Sequence, residues 1–210
     1  MFPEGASSIA GEVDQLFTLI HLVAGLAGLA VAVWIIDSII RYRHSRPGTT
    51  DLPPRDGNRG LIITFTTSFL ILAAIGLWSQ VVWDRINVPT GIPIDTIRIA
   101  PRQFQWDVTY AGPDRVFGTD DDRTWINRLV LPVNRPVRIE LRATDVIHSF
   151  FIPEFRIKRD AVPGTLSVIN LTATRVGTYD LVCTEYCGLG HYRMSGVVEV
   201  VEGYWGDIEN

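Results

Sequence analysis

The sequence predicts a membrane anchor of two helices followed by an all-β domain. Two long stretches without a formal charge lie before residue 88, and short runs of β-branched and aromatic residues, separated by turn-forming residues, follow it. Hydrophobic residues make up 47% of the chain, which is somewhat high for a wholly soluble protein. We therefore assign residues 1–92 to an N-terminal tail, two helices and a linker, and residues 93–210 to a β-domain outside the membrane.

The first uncharged stretch extends for 21 residues, from Leu16 to Ile36. At about 1.5 Å per residue, a helix of this length spans the hydrocarbon core of a bilayer, which is about 30 Å thick. A cleavable signal peptide is the alternative, but the stretch is too long, follows no basic segment and ends without a small-residue cleavage site. We predict a transmembrane helix at about residues 15–40.

The second uncharged stretch, from Leu61 to Trp83, predicts another transmembrane helix at about residues 61–84. Basic residues outnumber acidic ones in the loop between the two helices, and loops with this excess of positive charge lie in the cytoplasm. The β-domain and both ends of the chain are then expected on the opposite side of the membrane. The charged residues of the loop are Arg41, Arg43, Arg46, Arg55 and Arg59, against Asp51 and Asp56.

Eight short strands are predicted after the Pro- and Gly-containing linker VPTGIPID. No helical pattern of 10–15 residues interrupts them, which favours a β-sandwich or barrel over a parallel α/β sheet. The formal net charge of -4, without a long basic face, excludes nucleic-acid binding as the function. The predicted strands are Ile94–Ala100, Gln103–Tyr110, Arg128–Val133, Val137–Arg142, His148–Ile152, Thr165–Leu171, Gly177–Cys183 and Ser195–Val201.

Soft metal-binding side chains are concentrated in the string CTEYCGLGHYRM, from Cys183 to Met194. It contains both cysteines of the chain, one of its four histidines and one of its two methionines. The two cysteines alone would suit a disulfide bond, and with a histidine they would suit a structural zinc site. Neither alternative calls for His191 and Met194 at this spacing, whereas thiolate, imidazole and thioether together favour copper.

A copper site of this kind needs a further ligand, because the string offers only one histidine. His148 is the best candidate, since it begins a predicted strand in the segment TDVIHSFFIPEF. A rigid β-scaffold can bring a strand residue and a distant loop together and hold them still while a metal changes oxidation state. We expect His148 to lie beside the string, although a lone histidine on the surface or in the core is the ordinary alternative.

Two motifs resemble subunit II of the haem-copper oxidases, the cytochrome c oxidase type. They are HSFFIPEFRIKRDAVPG, which begins at His148, and CTEYCGLGHYRM. The resemblance extends over both helices, the linker and the β-domain, and it implies a cupredoxin-like Greek-key sandwich that carries a binuclear copper centre, CuA. Cys183 and Cys187 would then bridge two copper ions, and His148 and His191 would each complete one of them.

The same resemblance implies roles for two further residues. Met194 and the backbone carbonyl of Glu185 would be weak outer ligands of the copper ions. The side chain of Glu185 would reach a magnesium ion at the interface with the catalytic subunit I, and a carboxylate oxygen is a suitable hard ligand for magnesium.

The function implied is electron relay within the respiratory chain. A soluble donor such as cytochrome c would reduce the copper pair, which passes electrons to haem in subunit I, where oxygen is reduced and protons are translocated. A subunit III is also implied, and the bacterial plasma membrane is favoured over the mitochondrial inner membrane. The alternatives are a CuA subunit of a nitric oxide reductase and a non-redox assembly domain stapled by a disulfide or zinc. Quinol oxidases share the fold but lack copper, so the complete ligand set argues against them.

The residue that receives the electron from the donor is less certain, because the string RQFQWDVTY departs from the family pattern. Relatives that oxidise cytochrome c carry a tryptophan where Phe104 stands here, and Trp106 matches the second aromatic of their string. A shift of two residues would instead give Trp106 the electron-input role. Ordinary strand packing is the alternative function of Trp106.

An acidic segment, GPDRVFGTDDDRTWIN, is a second departure from the family. Its aspartates could dock a basic cytochrome c, bind calcium or simply solvate the tip of a hairpin. Asp145 matches an acidic position near the donor-docking face of relatives, and it could also support His148 from behind. The docking candidates are therefore Asp120, Asp121, Asp122 and Asp145, with Asp114 as a further calcium candidate.

Overall fold

The computed structural model describes residues 3–43, 57–87 and 91–203. Within them the chain forms two compact units. One unit is Asp14–Val82, and the other comprises the N-terminal residues up to Val13 together with the chain from Trp83 onward. Most of the predicted cytoplasmic loop, including Arg46 and Arg55, and the first residues of the linker lie outside the described residues.

Two long helices account for the predicted anchor. Helix α1 is Ala10–Tyr42 and helix α2 is Arg59–Asn87. Each is long and apolar enough to cross a membrane, and the apolar windows expose their side chains rather than burying them in the protein. Polar groups within them are satisfied locally, as in the bond from the Thr64 hydroxyl to the Gly60 carbonyl. Both helices extend several residues beyond the predicted spans.

Residues 91–203 form a β-sandwich of two five-stranded sheets, in the orders β3-β2-β1-β5-β8 and β4-β10-β9-β6-β7. Several neighbours in the sheets are distant in sequence, as β1 and β5 or β6 and β9 are, which is typical of Greek-key connections. The strands are β1 Asp95–Arg102, β2 Gln105–Tyr110, β3 Arg123–Ile126, β4 Arg128–Pro132, β5 Pro136–Leu141, β6 His148–Ile152, β7 Ile157–Ala161, β8 Ser167–Thr172, β9 Gly177–Cys183 and β10 Ser195–Val201.

The eight predicted strands are present within two residues at each end. Two strands, β3 and β7, were not predicted. Each lies at the edge of a sheet, and the sequences RTWI and IKRDA have little apolar alternation. These segments become strands because they pair with β2 and β6 respectively, which is a tertiary effect rather than a local preference.

Alternating apolar residues fill the space between the sheets. In β2 the buried residues are Trp106, Val108 and Tyr110, and in β5 every second residue is buried as well. The ring of Trp106 meets that of Phe150, from the other sheet, edge to face at 5.8 Å between centroids. This contact holds β2 of one sheet against β6 of the other.

The hydroxyl group of Tyr110 connects the two sheets through the core. It donates a hydrogen bond to the Val130 carbonyl at 3.0 Å and accepts one from the Val130 amide at 2.7 Å. Burial raises the pKa of Tyr110, so the hydroxyl stays protonated and able to donate. Both backbone groups of Val130 depend on this single side chain.

We expect Tyr110→Phe to lower the free energy of unfolding by about 2 kcal/mol, because it leaves the buried amide and carbonyl of Val130 without a partner. Guanidinium unfolding of the full chain in detergent, followed by near-ultraviolet circular dichroism, measures the change. Tyr192→Phe is the matched control, since the Tyr192 side chain is exposed and its hydroxyl is accessible to water. Equal losses in the two variants would contradict the role given to Tyr110.

Candidate metal centre

Three elements of one sheet bring the soft side chains together. Strands β6 and β9 pair antiparallel with Phe150 opposite Cys183, so His148 at the start of β6 lies beside the end of β9. The loop after Cys183 carries the remaining candidates and returns into β10. A hydrogen bond from the Cys183 amide to the Met194 carbonyl, at 3.2 Å, closes this loop at its base.

Cys183 lies at the inner side of the cluster. Its Sγ is 3.9 Å from Nδ1 of His148, 3.9 Å from Sγ of Cys187 and 3.3 Å from the backbone oxygen of Glu185. The ligand atoms of His148, Cys183 and Cys187 all lie within 4.8 Å of one another. Among the described residues, they are the one group of three or more His, Cys, Asp or Glu side chains close enough to hold a metal ion.

Cys187 links this group to the other end of the loop. Its Sγ is 3.6 Å from Nδ1 of His191 and 3.7 Å from Sδ of Met194. His191 begins a short 3₁₀ turn, His191–Arg193, which turns the imidazole back toward Cys187. Two thiols, two imidazoles, a thioether and one carbonyl oxygen thus surround a common space.

The distance between the two sulfur atoms bears on the disulfide alternative. A disulfide bond requires about 2.05 Å between the sulfur atoms, and Cys183 and Cys187 are both free at 3.9 Å. A zinc ion would accept the thiolates and imidazoles, but zinc rarely uses a thioether. Because the Met194 sulfur lies within the cluster, the set of ligand atoms fits copper better than zinc.

The cluster is dry. His148, Cys187 and Met194 are buried, and His191 alone is partly exposed. Burial, and after it the neighbouring Cys183, raises the pKa of the Cys187 thiol to about 11. Two adjacent thiolates are therefore unfavourable here without a cation, so metal binding must displace the thiol protons.

Asp145 orients His148. The Nε2 atom of His148 lies 2.8 Å from Oδ1 of Asp145, which fixes the proton on Nε2 and leaves Nδ1 directed at the thiols. Burial alone would raise the pKa of Asp145, but hydrogen bonds from His148, Gln103 and Val146 hold it below its usual value. The carboxylate therefore stays ionised behind the imidazole.

Glu185 turns only its backbone toward the cluster. Its carbonyl oxygen is the atom near Cys183, while its side chain is exposed to solvent. The Glu185 side chain thus takes no part in this group of sulfur and imidazole atoms.

Phe104 and Trp106 occupy different surroundings. Trp106 is completely buried, and its ring meets the His148 ring at 6.4 Å between centroids. Phe104 is partly exposed and lies over the loop at Gly188 and Gly190, whose missing side chains leave room for its ring. Of the two aromatic residues, only Phe104 is accessible at the surface beside the cluster.

The acidic segment lies at the other end of the sandwich. It joins Tyr110 of β2 to Arg123 of β3, whereas Trp106, at the other end of β2, contacts His148. The four steps from Trp106 to Tyr110 cover about 13 Å at about 3.3 Å per residue. Asp120, Asp121 and Asp122 are therefore remote from the cluster, unlike Asp145.

Several carboxylates of the segment stabilise the segment itself. Asp114 accepts a hydrogen bond from the Val116 amide, Asp121 one from the Thr119 hydroxyl, and Asp122 one from the Gly118 amide. They do not form a group of three with ligand atoms close enough for a metal ion within the described residues. This geometry fits a hydrogen-bonded hairpin tip better than a calcium site.

Sequence reasoning did not identify Gln103 as a residue of the site. Its side-chain amide donates to the Cys187 carbonyl at 2.5 Å, across 84 positions in the chain. A glutamine in a turn carries no local signal of such a contact, because the contact depends on how the two sheets pack.

Comparison with known proteins supports the resemblance that the two motifs indicate. The family model described as the periplasmic domain of cytochrome C oxidase subunit II matches residues 100–201. An alternative cytochrome c oxidase subunit 2 of Bradyrhizobium diazoefficiens is 28% identical, with 90% of this chain and 76% of that protein aligned. Cytochrome c oxidase subunit 2 of Synechocystis sp. is 26% identical, with 94% and 71% aligned.

Among solved structures, the periplasmic domain of subunit II of cytochrome oxidase (CoxB) of Bradyrhizobium japonicum is 29% identical. The aligned region covers 53% of this chain and 87% of the Bradyrhizobium japonicum chain, with a TM-score of 0.47. The family model and the sequence relatives carry the assignment and confirm the resemblance inferred from the two motifs. This chain is therefore similar to cytochrome c oxidase subunit II, with the family model matching its β-domain and the two sequence relatives aligned over 90% and 94% of its length.

Proposed function

We propose that this chain is the electron-input subunit of a haem-copper terminal oxidase and that its β-domain holds a binuclear CuA centre. The observation that carries the proposal is the cluster around Cys187, where thiol, imidazole and thioether groups converge within 4 Å of its sulfur atom. A relay needs ligands that stay in place when the charge on the metal changes. Ligands on paired strands and a closed loop meet that need.

The assignment of ligands is the one that the family resemblance implies, and the distances support it. Cys183 and Cys187 would bridge the two metal ions, and His148 and His191 would each bind one of them through Nδ1. Met194 and the Glu185 carbonyl would be the outer ligands. Bound copper would supply one-electron acceptance and release, while the buried surroundings exclude water and Asp145 holds the His148 proton on Nε2.

The two apolar helices and the family of the β-domain indicate a membrane protein with a periplasmic domain. Our proposal further gives the bacterial plasma membrane as the location, with both ends of the chain on the periplasmic side. Contacts of the N-terminal tail support this for one end, since Ser7 pairs with Ala173 and its hydroxyl bonds the Phe155 carbonyl of the β-domain. The arginine-rich loop supports a cytoplasmic position between the helices.

The partners proposed are those of the family. A catalytic subunit I would receive the electrons at its haem, with a subunit III beside it, and the exposed Glu185 carboxylate could share a magnesium ion with subunit I. These partners would carry out oxygen reduction and proton translocation. This chain contributes the relay and its membrane anchor.

We assign electron input to the exposed surface around Phe104, called the rim below. Trp106 is not assigned this role, because it is buried and its ring contacts the His148 ring. Exposed apolar side chains surround this rim, notably Leu189 at 91% exposure, which lies between the two glycines under Phe104. Tyr192, Val146 and Ile147 add further apolar surface nearby in the chain. We propose that the soluble donor docks on this apolar rim, with Asp145 beneath it, and not on Asp120, Asp121 and Asp122.

A CuA subunit of a nitric oxide reductase remains the second candidate function, because the same relay can serve a different catalytic partner. Purifying the native complex, identifying its largest subunit and measuring consumption of oxygen against nitric oxide separate the two.

We expect the full chain in detergent, reconstituted with copper, to bind two copper ions and to share one unpaired electron between them. Metal analysis and electron paramagnetic resonance measure both properties. Cys187→Ser removes a bridging thiolate and should abolish the shared-electron signal, whereas Tyr192→Phe on the same loop should keep it. A signal of isolated copper ions in the unaltered chain, or an equal preference for zinc, would contradict the CuA assignment.

We expect Asp145→Ala to weaken copper binding by about 10- to 100-fold, because His148 loses the partner that fixes its proton and ring orientation. Competition with a copper chelator measures the change. Asp120→Ala is the control, since Asp120 lies in the remote acidic segment. If Asp145 acted in donor docking alone, the copper affinity would be unchanged and only the rate of reduction would fall.

We expect Leu189→Asp to slow reduction of the copper centre by a soluble cytochrome c about tenfold, because it places a charge in the apolar contact. Stopped-flow mixing of the copper-loaded chain with reduced cytochrome c measures the rate, and the copper spectrum should not change. Asp120→Asn should leave the rate unaltered. If Asp120→Asn slowed the reduction and Leu189→Asp did not, docking would be assigned to the acidic segment.

A further inference from the structure

A two-residue turn of the opposite sheet lies against the metal-binding loop. Gln103 and Phe104 connect β1, which ends at Arg102, to β2, which begins at Gln105. The metal-binding loop belongs to the other sheet, between β9 and β10. A turn of this length needs no side-chain contacts to form, so the contacts that its side chains make require a separate explanation.

Gln103 connects the two parts of the metal centre by hydrogen bonds. Its backbone amide donates to Oδ2 of Asp145 at 2.7 Å, and the other carboxylate oxygen of Asp145 bonds His148 at 2.8 Å. Its side-chain amide donates to the Cys187 carbonyl. The chain of bonds therefore runs from His148 through Asp145 and Gln103 to Cys187.

No other donor in the described part of the chain reaches the Cys187 carbonyl. The backbone bonds of the loop use other carbonyls, such as those of Gly188 and Gly190, which accept from His191 and Arg193. Removing the Gln103 amide would therefore leave this part of the loop without its bond to the opposite sheet.

Gly188 and Gly190 of the metal-binding loop leave room for the side chains of the turn. A β-carbon added at Gly190 would lie 2.5 to 2.8 Å from atoms of the Phe104 ring, and one at Gly188 would lie 2.6 Å from the Gln103 amide nitrogen. Real side chains do not approach so closely, so a side chain at either position would require the Phe104 ring or the Gln103 amide to move. Gly188 also has a φ of 131°, a conformation that favours glycine.

We infer that Gln103 is a positioning residue that, together with Phe104, clamps the metal-binding loop against the β6 end that carries His148. The inference rests on the proposed function for its importance to copper, but the clamp itself is a property of the chain without metal. Gln103 would not touch the metal; it would limit the separation of the Cys187 and His148 sides of the centre.

The first test uses the metal-free full chain in detergent and the exchange of backbone amide hydrogens at residues 188–194. Gln103→Met keeps the length of the side chain and removes the donor, and we expect exchange in the loop to become about five- to tenfold faster. Gln105→Met is the matched control, because Gln105 lies in the same hairpin and bonds Asp107 instead of the loop. Loop exchange in Gln103→Met equal to that of the unaltered chain would overturn the inference.

The second test uses the copper-loaded chain. We expect Gln103→Met to lose copper to a chelator about tenfold faster than the unaltered chain and Gln105→Met, with a changed copper spectrum. If the unaltered chain forms no copper pair, the proposed function fails while the exchange experiment still decides on the clamp. If the pair forms and Gln103→Met matches the unaltered chain in exchange and copper loss, the clamp fails and the proposed function stands.

A second variant covers the case in which Gln103→Met does not fold, as judged by near-ultraviolet circular dichroism. Gln103→Glu keeps the shape of the side chain and places an ionised acceptor opposite the Cys187 carbonyl. In Gln103→Glu, we expect amide exchange at residues 188–194 and loss of copper to a chelator to be at least as fast as expected for Gln103→Met. Protection equal to that of the unaltered chain in Gln103→Glu would overturn the inference.

Discussion

The pairing of β6 with β9 is the constraint on which the metal centre depends. Phe150 lies opposite Cys183 in this antiparallel pair, so His148 is held beside the last residue of β9. The loop that starts there closes on itself through the Cys183 amide and the Met194 carbonyl. A slip of one residue in the register would direct His148 to the other face of the sheet. The ligand set therefore exists only because the register is correct.

Both sheets contribute to the rigidity of the centre. One sheet carries the ligands, and the other supplies Gln103, Phe104 and the buried Trp106 that pack against them. An electron relay works best when its ligands move little between oxidation states, and a loop held between two sheets has little freedom to move. The ionised Asp145 belongs to this support, which gives it a structural role at the centre whether or not a donor approaches it.

The structure and the sequence favour different parts of the surface for docking of a partner. The acidic segment attracts attention in the sequence because four aspartates lie close together, yet three of them stabilise their own hairpin tip at the far end of β2 and β3. The surface beside the centre carries large apolar side chains, with Leu189 and Tyr192 almost fully exposed, next to the charged Glu185 and Arg193. Proximity to the candidate ligands, more than charge in the sequence, is the basis on which we propose this surface for docking.

The sequence by itself determined what local spacing and composition decide: two helices from uncharged stretches, eight strands from β-rich runs between turn-forming residues, and one loop with both cysteines, His191 and Met194. It also indicated His148, because the ligand set lacked one histidine. Only the tertiary structure decided that Asp145 faces His148, that Gln103 reaches Cys187, that the acidic segment is remote, and that β3 and β7 are strands. The physical reason is that these features depend on strand register and on the packing of one sheet against the other, which join residues far apart in the chain.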